Sequence, residues 1–300
     1  MNIQNIFTSV FGAYIGLIIG RYIPKKAGYS LSRSLAIILS KRTSSPLVQA
    51  VRNNQRVIHN GILSPTELDR AVIKVFTHAG RCFIDLYHNF DDKDKIMKLV
   101  KVDQKSEEII NLSKDPSFGA FVVTAHLSNF DFALLGLAVR GLNGCVLSYA
   151  NPTSGYKIQN KLRTKTGLEI NPINRNSIKK AITSMQNGGF VYTGVERPVA
   201  DKTKTLTFFG RPSPLPTGHI RMASKANVPI IVGTASMDSD GYYHIDFSEP
   251  ISIQPFDNTD EMIMVNGERI LQKIEERILA HPDQWLMYYP VWPHPEEIKQ

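Results

Sequence analysis

The chain has 300 residues, 42% apolar and 21% charged, a globular composition that excludes a disordered or fibrous protein. Two cysteines, Cys82 and Cys145, exclude a disulfide framework, and no paired Cys/His spacing indicates structural zinc. The formal net charge is +8, yet residues 1–66 hold eight basic side chains and no acidic one. Residues 67–300 carry 27 basic and 27 acidic side chains, which argues against a uniformly basic nucleic-acid-binding surface.

This acid-free leader, residues 1–66, contains two apolar stretches. The first, residues 6–19, is shorter than the roughly 20 apolar residues of a membrane-spanning helix. Basic residues follow this stretch and do not precede it, which argues against a cleaved signal peptide. The second, residues 31–39, lies between two pairs of basic residues, a pattern typical of helices on an anionic membrane surface. The alternatives are helices packed on the body with solvated basic residues, or RNA binding, for which no recognised module is visible.

A long helix is predicted over residues 64–90. It begins with Ser64-Pro65-Thr66-Glu67, which supplies an N-cap, a proline at the first helical position and a capping-box acid. Apolar residues then recur at helical spacing up to Leu86. A short helix is predicted at 105–112.

From residue 118 onwards, short apolar strands alternate with helices. Predicted strands are 118–125, 144–149, 168–173, 190–195, 229–234 and 242–247, with a strand or turn arm at 205–209; predicted helices are 129–140, 154–166, 177–186, 218–226 and 261–280. This alternation predicts an α/β fold, with a mixed central sheet flanked by helices on both faces. We therefore expect a helical, membrane-associating N-terminal region, residues 1–66, and an α/β domain, residues 67–300.

His126 leaves the first strand of the sheet, and Asp131 falls in the first turn of the next helix. Ligands gather at the carboxyl ends of strands in open α/β sheets, and a histidine titrates near neutrality, so His126 is a candidate general base. A nearby carboxylate would fix its tautomer. The chain has no Gly-x-Ser-x-Gly elbow, so the proton that His126 takes would come from a substrate hydroxyl. Alternatively, Ser128 and Asp131 form a capping box and His126 is a buried, hydrogen-bonded histidine.

A second strand ends at Glu196-Arg197, where the acid could orient His126 and the cation could hold an anion; the alternative is a surface ion pair. A third block joins Phe208-Phe209-Gly210-Arg211-Pro212 to Pro216-Thr217-Gly218 at the start of a helix. Such a loop can present backbone amides to a phosphate, or can simply form a rigid turn.

In this order, the motifs resemble the lysophospholipid acyltransferase superfamily. They are most similar to its branch of bacterial lipid A biosynthesis (lauroyl/myristoyl) acyltransferases, which includes the acyltransferases of mycobacterial phosphatidylinositol mannosides. The resemblance rests on His-x4-Asp, the strand-end acid and the Phe-Phe-Gly-x-Pro…Pro-x-Gly block. Arg52-x-Asn54, Gln284-Trp285 and Trp292 add to it.

This resemblance implies a glycerolipid acyltransferase-like fold and an O-acyltransferase. A fatty acyl group would pass from acyl carrier protein or coenzyme A thioester to a hydroxyl of a lipid A or phosphatidylinositol mannoside type of acceptor. His126 would be the general base, oriented by Asp131 or Glu196, with no cofactor, metal or covalent enzyme intermediate. The expected location is the cytoplasmic face of the bacterial plasma (inner) membrane, where the protein would be peripheral or held by a single anchor.

The expected substrate-binding residues are Asn129, Arg163, Arg197, Gly210, Arg211 and Gly218. Arg163 and Arg197 are chosen as phosphate contacts for their chemistry. The Val-Glu-Arg-Pro sequence around Glu196 differs from that commonly found in the lipid A enzymes themselves, which argues against lipid A as the substrate and leaves a phosphatidyl-glycolipid or another lysolipid acceptor open. Two alternatives remain: a lysophospholipid or lysophosphatidate acyltransferase, and a non-catalytic lipid-binding protein of the membrane surface.

Overall fold

The computed structural model describes Ile18, residues 20–150, Thr164, and residues 168–200 and 204–292. The predicted helix 154–166 lies outside them, except for Thr164. The helices are α1 (Lys25–Ser40), α2 (Pro46–Ile58), α3 (Pro65–Asn89), α4 (Lys93–Leu99), α5 (Gln104–Leu112), α6 (Phe130–Val139), α7 (Arg175–Gln186), α8 (Gly218–Ala226) and α9 (Thr259–Ala280). The strands are β1 (Val100–Lys101), β2 (Ala120–Thr124), β3 (Cys145–Ser148), β4 (Glu169–Pro172), β5 (Phe190–Gly194), β6 (Leu206–Phe208), β7 (Arg211–Ser213), β8 (Ile230–Met237) and β9 (Tyr243–Phe247).

Seven of the described strands form the central sheet, in the order β1-β9-β8-β2-β5-β3-β4. The five strands from β8 to β4 are mutually parallel, whereas β9 runs antiparallel to β8 and carries β1 on its outer edge. The prediction of a mixed sheet is confirmed. Its parallel centre brings the carboxyl ends of β2 and β5 to one edge, side by side.

Helices cover both faces of the sheet, as the near-continuous apolar strands predict. In β2, Phe121 and Val123 face a core that contains residues of α7, α8 and α9. Their neighbours Ala120 and Val122 face the opposite core, which contains residues of α3, α5 and α6. Successive side chains of a strand point to opposite faces, so one short apolar strand serves both cores.

The small elements β1, β7 and α4 were not predicted from the sequence. The predicted arm at 205–209 is β6, which forms a separate antiparallel hairpin with β7. Strand β1 has only two residues, too few for any periodicity to be visible. It lies between α4 and α5 in the chain and pairs in parallel with β9.

The described part of the leader packs on the body. Helix α1 buries Gly28 and Ala36, and it lies along α3. There the buried Asp85 of α3 accepts a hydrogen bond from Tyr29 and lies 3.6 Å from Nζ of Lys25. None of the helices that the structure describes is long and apolar enough to cross a bilayer.

Candidate active site

The register of the sheet brings His126 and Glu196 together. Thr124, the last residue of β2, pairs with Gly194, the last residue of β5. His126 and Glu196 each follow two residues later. Two neighbouring parallel strands therefore deliver a histidine and a carboxylate to the same point.

The two side chains form a tight pair. Oε1 of Glu196 accepts a hydrogen bond from Nδ1 of His126 over 2.9 Å and a second from the backbone N–H of the same residue. Glu196 is fully buried, whereas the side chain of His126 is 31% exposed. Because Nδ1 donates to the carboxylate, the lone pair of Nε2 is left for a substrate. This is the arrangement of a general base held in one tautomer.

Electrostatics favour the charged form of both partners. Desolvation lowers the pKa of His126, but the charge of Glu196 and its hydrogen bond outweigh this, with a smaller contribution from Asp131. The pKa of His126 therefore lies above its ordinary value of 6.5. Desolvation likewise raises the pKa of Glu196, and the imidazolium charge and hydrogen bonds bring it below the ordinary value. The carboxylate thus stays ionised and stabilises an imidazolium.

The turn after His126 is held by α3. Ser128 is buried with a positive φ of 51°, and its hydroxyl lies 2.9 Å from Nε2 of His78. Burial lowers the pKa of His78 to about 4, so this partner stays neutral near pH 7. Asn129 caps α6 by accepting from the N–H of Phe132, and its amide donates to the carbonyl of Cys82. The N-cap is thus Asn129, and the alternative capping box of Ser128 with Asp131 is not formed.

Asp131 lies in the first turn of α6, half-buried, where the positive end of the helix dipole favours an acid. It lines both cavities beside His126 and contributes to the raised pKa of the imidazole. The carboxylate on Nδ1, however, is that of Glu196. Of the two acids that the sequence offered to orient His126, Glu196 makes the contact.

Two cavities meet at His126, Phe130 and Asp131. The first, about 840 Å³ with its open mouth, lies between α6 and the sheet and is mostly apolar. Its lining includes Val122, Ala133, Leu134, Leu137, Val146 and Tyr192. The second, about 990 Å³ with its mouth, lies between α3 and residues 286–289 and adds Arg197 and Tyr289. His126 is thus reachable from an apolar side and a more polar side.

The other expected binding residues are spread over the fold. Arg197 lies in the second cavity, with its guanidinium 3.9 Å from the ring centre of Tyr289 and 4.6 Å from that of Tyr149. Arg163 lies outside the described residues. Gly210, Arg211 and Gly218 line neither cavity; Gly210 forms the β6–β7 turn with Phe209, and both have positive φ.

The sequence did not predict that the C-terminal segment, residues 284–289, lies at the site. Leu127 pairs with Trp285 in an antiparallel bridge, and the indole N–H of Trp285 lies 3.4 Å from Oε1 of Glu196. The pair Gln284-Trp285 was visible as a motif, but its position beside His126 depends on long-range packing. Asn54 was likewise visible as part of a motif, but its position also depends on long-range packing. Its side-chain amide donates to the backbone carbonyls of Met287 and Tyr289.

Comparison with known proteins identifies the family of the chain. Residues 2–293 match the family described as bacterial lipid A biosynthesis acyltransferase. Two relatives, each named phosphatidylinositol mannoside acyltransferase, come from Mycobacterium tuberculosis strains CDC 1551 and H37Rv. Each is 23% identical over 179 residues, which is 58% of this chain and 54% of the relative, so the match spans about half the length of those proteins. Since the family match covers nearly the whole sequence, the chain belongs to the bacterial lipid A biosynthesis acyltransferase family.

Proposed function

We propose that this protein transfers a fatty acyl group from a thioester to a hydroxyl of a membrane lipid or glycolipid, with His126 as the general base. The observation that carries the proposal is the His126–Glu196 pair at the junction of the two cavities. Family membership supports the same class of reaction.

The chemistry follows from the pair. Nε2 of His126 takes the proton of the acceptor hydroxyl, and the oxygen attacks the thioester carbonyl. The tetrahedral intermediate collapses, the thiolate leaves, and the imidazolium returns the proton to it. Glu196 remains ionised throughout and stabilises the imidazolium by its charge and by its hydrogen bond to Nδ1. The enzyme forms no covalent bond to the acyl group.

The two cavities suit the two parts of such a reaction. The apolar cavity beneath α6 is matched to an acyl chain, because burial of methylene groups stabilises by roughly 0.8 kcal/mol each. The cavity beside α3 is matched to the acceptor headgroup, with Arg197 placed to pair with a phosphate. Among the described residues, no carboxylate forms an ion pair with Arg197. An acceptor of phosphatidylinositol mannoside type carries such a phosphate. The phosphate-contact role of Arg163, and the binding roles of Asn129, Gly210, Arg211 and Gly218, remain predictions.

The leader supports a membrane acceptor. We assign its outer face to an anionic membrane surface, because Leu31, Leu35 and Ile38 of α1 are exposed beside basic residues. Each basic residue close to such a surface contributes about 1 kcal/mol. The acyl acceptor would then lie in the same membrane to which the protein is held.

The test is acyl transfer by the purified full chain. Labelled acyl carrier protein and coenzyme A thioesters are incubated with total bacterial lipids, and the products are identified by mass spectrometry. We expect an acylated lipid with at least one thioester, and a loss of at least about 100-fold in His126→Ala. His244→Ala changes a histidine of β9 that lines neither cavity and should retain the wild-type rate.

Two results would contradict the proposal. Full transfer by His126→Ala would remove the general base. Lipid binding without transfer from either thioester would favour the non-catalytic lipid-binding alternative. A product formed only from lysophosphatidate or lysophospholipids would favour the other acceptor class.

A further inference from the structure

The turn that carries His126 is hydrogen-bonded on both sides to the C-terminal segment. The backbone N–H of Ser128 donates to the carbonyl of Gln284 over 2.7 Å, and the N–H of Leu286 donates to the carbonyl of His126 over 2.8 Å. The side chain of Gln284 in turn bonds the N–H and the carbonyl of Met237, at the end of β8. The segment therefore joins the His126 turn to the sheet.

Trp285, in the middle of this segment, also contacts the carboxylate. Oε1 of Glu196 accepts two hydrogen bonds from His126 itself, and its third donor is the indole N–H of Trp285. Among the described residues, Oε2 has no hydrogen-bond partner. Trp285 is thus the one described side-chain donor that can fix the carboxylate independently of His126.

The indole is itself held rigidly. Trp285 is fully buried and packs against the rings of Phe208, Phe209 and Trp292, with ring centres 6.2–6.3 Å apart. A close-packed aromatic cluster leaves the N–H one direction in which to point. That direction is towards the carboxylate.

We propose that Trp285 is a positioning residue for acyl transfer, which fixes Glu196 so that its Oε1 faces Nδ1 of His126. The inference rests on the proposed function, because it requires His126 to be the base. The indole N–H also disperses part of the charge on Oε1, and without it the carboxylate would hold the imidazolium more strongly. Loss of the donor should then lower the rate and raise the pH at which the base becomes available.

The chain offers a matched pair of substitutions. Its two tryptophans, Trp285 and Trp292, are both buried in the same aromatic cluster. The indole of Trp292 donates to the carbonyl of Phe208 over 3.1 Å, away from Glu196. Trp285→Phe and Trp292→Phe thus each remove one indole hydrogen bond and leave a similar cavity. Both variants should lower the unfolding temperature to a similar degree.

The readouts are kcat, the KM for the acyl thioester and the pH dependence of kcat/KM. We expect kcat of Trp285→Phe to be about tenfold below that of Trp292→Phe, because a hydrogen bond to a charged group is lost, with KM within about twofold. The acid limb of this pH profile, where activity falls as His126 becomes protonated, should move to higher pH in Trp285→Phe alone. A kcat equal in the two variants, or an acid limb that stays in place or moves to lower pH, would overturn the proposal.

Two additions keep the result decisive. Should Trp285→Phe not fold, the Trp292→Phe protein is produced with an isosteric tryptophan analogue that has sulfur in place of the ring N–H. Trp285 is then the one tryptophan position left, so the analogue removes its hydrogen bond alone. The kcat and pH profile of this protein are compared with those of Trp292→Phe, with the same expected outcomes. His126→Ala is measured in parallel. Full transfer by that variant would overturn the proposed function and this inference together, whereas an inactive His126→Ala with an unaffected Trp285→Phe would overturn this inference only.

Discussion

The imidazole of His126 packs directly on the end of β5, at a residue without a side chain. A Cβ atom added at Gly194 would lie 3.0 Å from Cε1 of His126, closer than ordinary van der Waals contact. The backbone of Gly194 has no positive φ that would itself require glycine. Gly194 is therefore needed for space, because the imidazole of His126 occupies the position next to its Cα.

Gly194→Ala should consequently impair catalysis more than folding. The methyl group would displace the imidazole by a few tenths of an ångström from Glu196, and we expect kcat to fall about tenfold. Gly28→Ala is the matched control, because its Cβ would be crowded at 3.1 Å by Ile84, in the contact between α1 and α3. Steady-state kinetics and urea unfolding of both variants would check this. Equal kcat values in the two variants would contradict a steric role for Gly194.

At the scale of elements, α1 has one face packed on the body and another face exposed. Gly28 and Ala36 are buried on the body, and Tyr29 and Lys25 interact with the buried Asp85 of α3. Leu35 and Ile38 of the same helix are exposed, and we propose that they face the membrane. Packing on the body and binding to a membrane, which the sequence offered as alternatives, are therefore compatible in one helix.

The double substitution Leu35→Glu/Ile38→Glu should weaken binding to vesicles of anionic phospholipid by at least about tenfold. Burial of one such side chain contributes roughly 1.5–3 kcal/mol, and the new carboxylates are repelled by the lipid. The control is Met264→Glu/Leu279→Glu on α9, where Leu279 is 53% exposed and Ile38 is 56% exposed. Vesicle co-sedimentation measures both. Equal binding of the two double variants would contradict the assignment of α1 to the membrane.

At the scale of the molecule, the sequence predicted what depends on local pattern. Short apolar strands and helical periodicity predicted the mixed sheet, and strand ends predicted that His126 and Glu196 could meet. In the structure, the parallel pairing of β2 and β5 brings the two residues together. Contacts that do not join the ends of neighbouring strands were not predictable, because no periodicity encodes them. The bridge of Leu127 to Trp285 is the clearest example.

The apolar cavity beneath α6 makes a prediction about the acyl chain. Ala133→Leu adds three carbons to the cavity lining, so the preferred acyl chain should shorten by about two carbons. Ala138→Leu is the control, because Ala138 is also buried on α6 but does not line the cavity. Competition among thioesters of different length, read by mass spectrometry of the product lipid, gives the preference. An unchanged preference in Ala133→Leu would argue that the chain binds elsewhere.

The central claim, that Glu196 tunes His126 as the base, is tested most directly by the pH dependence of kcat/KM. Only neutral His126 accepts the proton, so activity is lost as pH falls through its pKa. Because the charge of Glu196 raises that pKa, the acid limb of the wild-type protein should lie above pH 6.5. Glu196→Gln removes the charge of Glu196 while desolvation still lowers the pKa of His126, so the limb should move to lower pH with a reduced maximal rate. A wild-type limb below 6.5, or a limb that does not move in Glu196→Gln, would contradict the account.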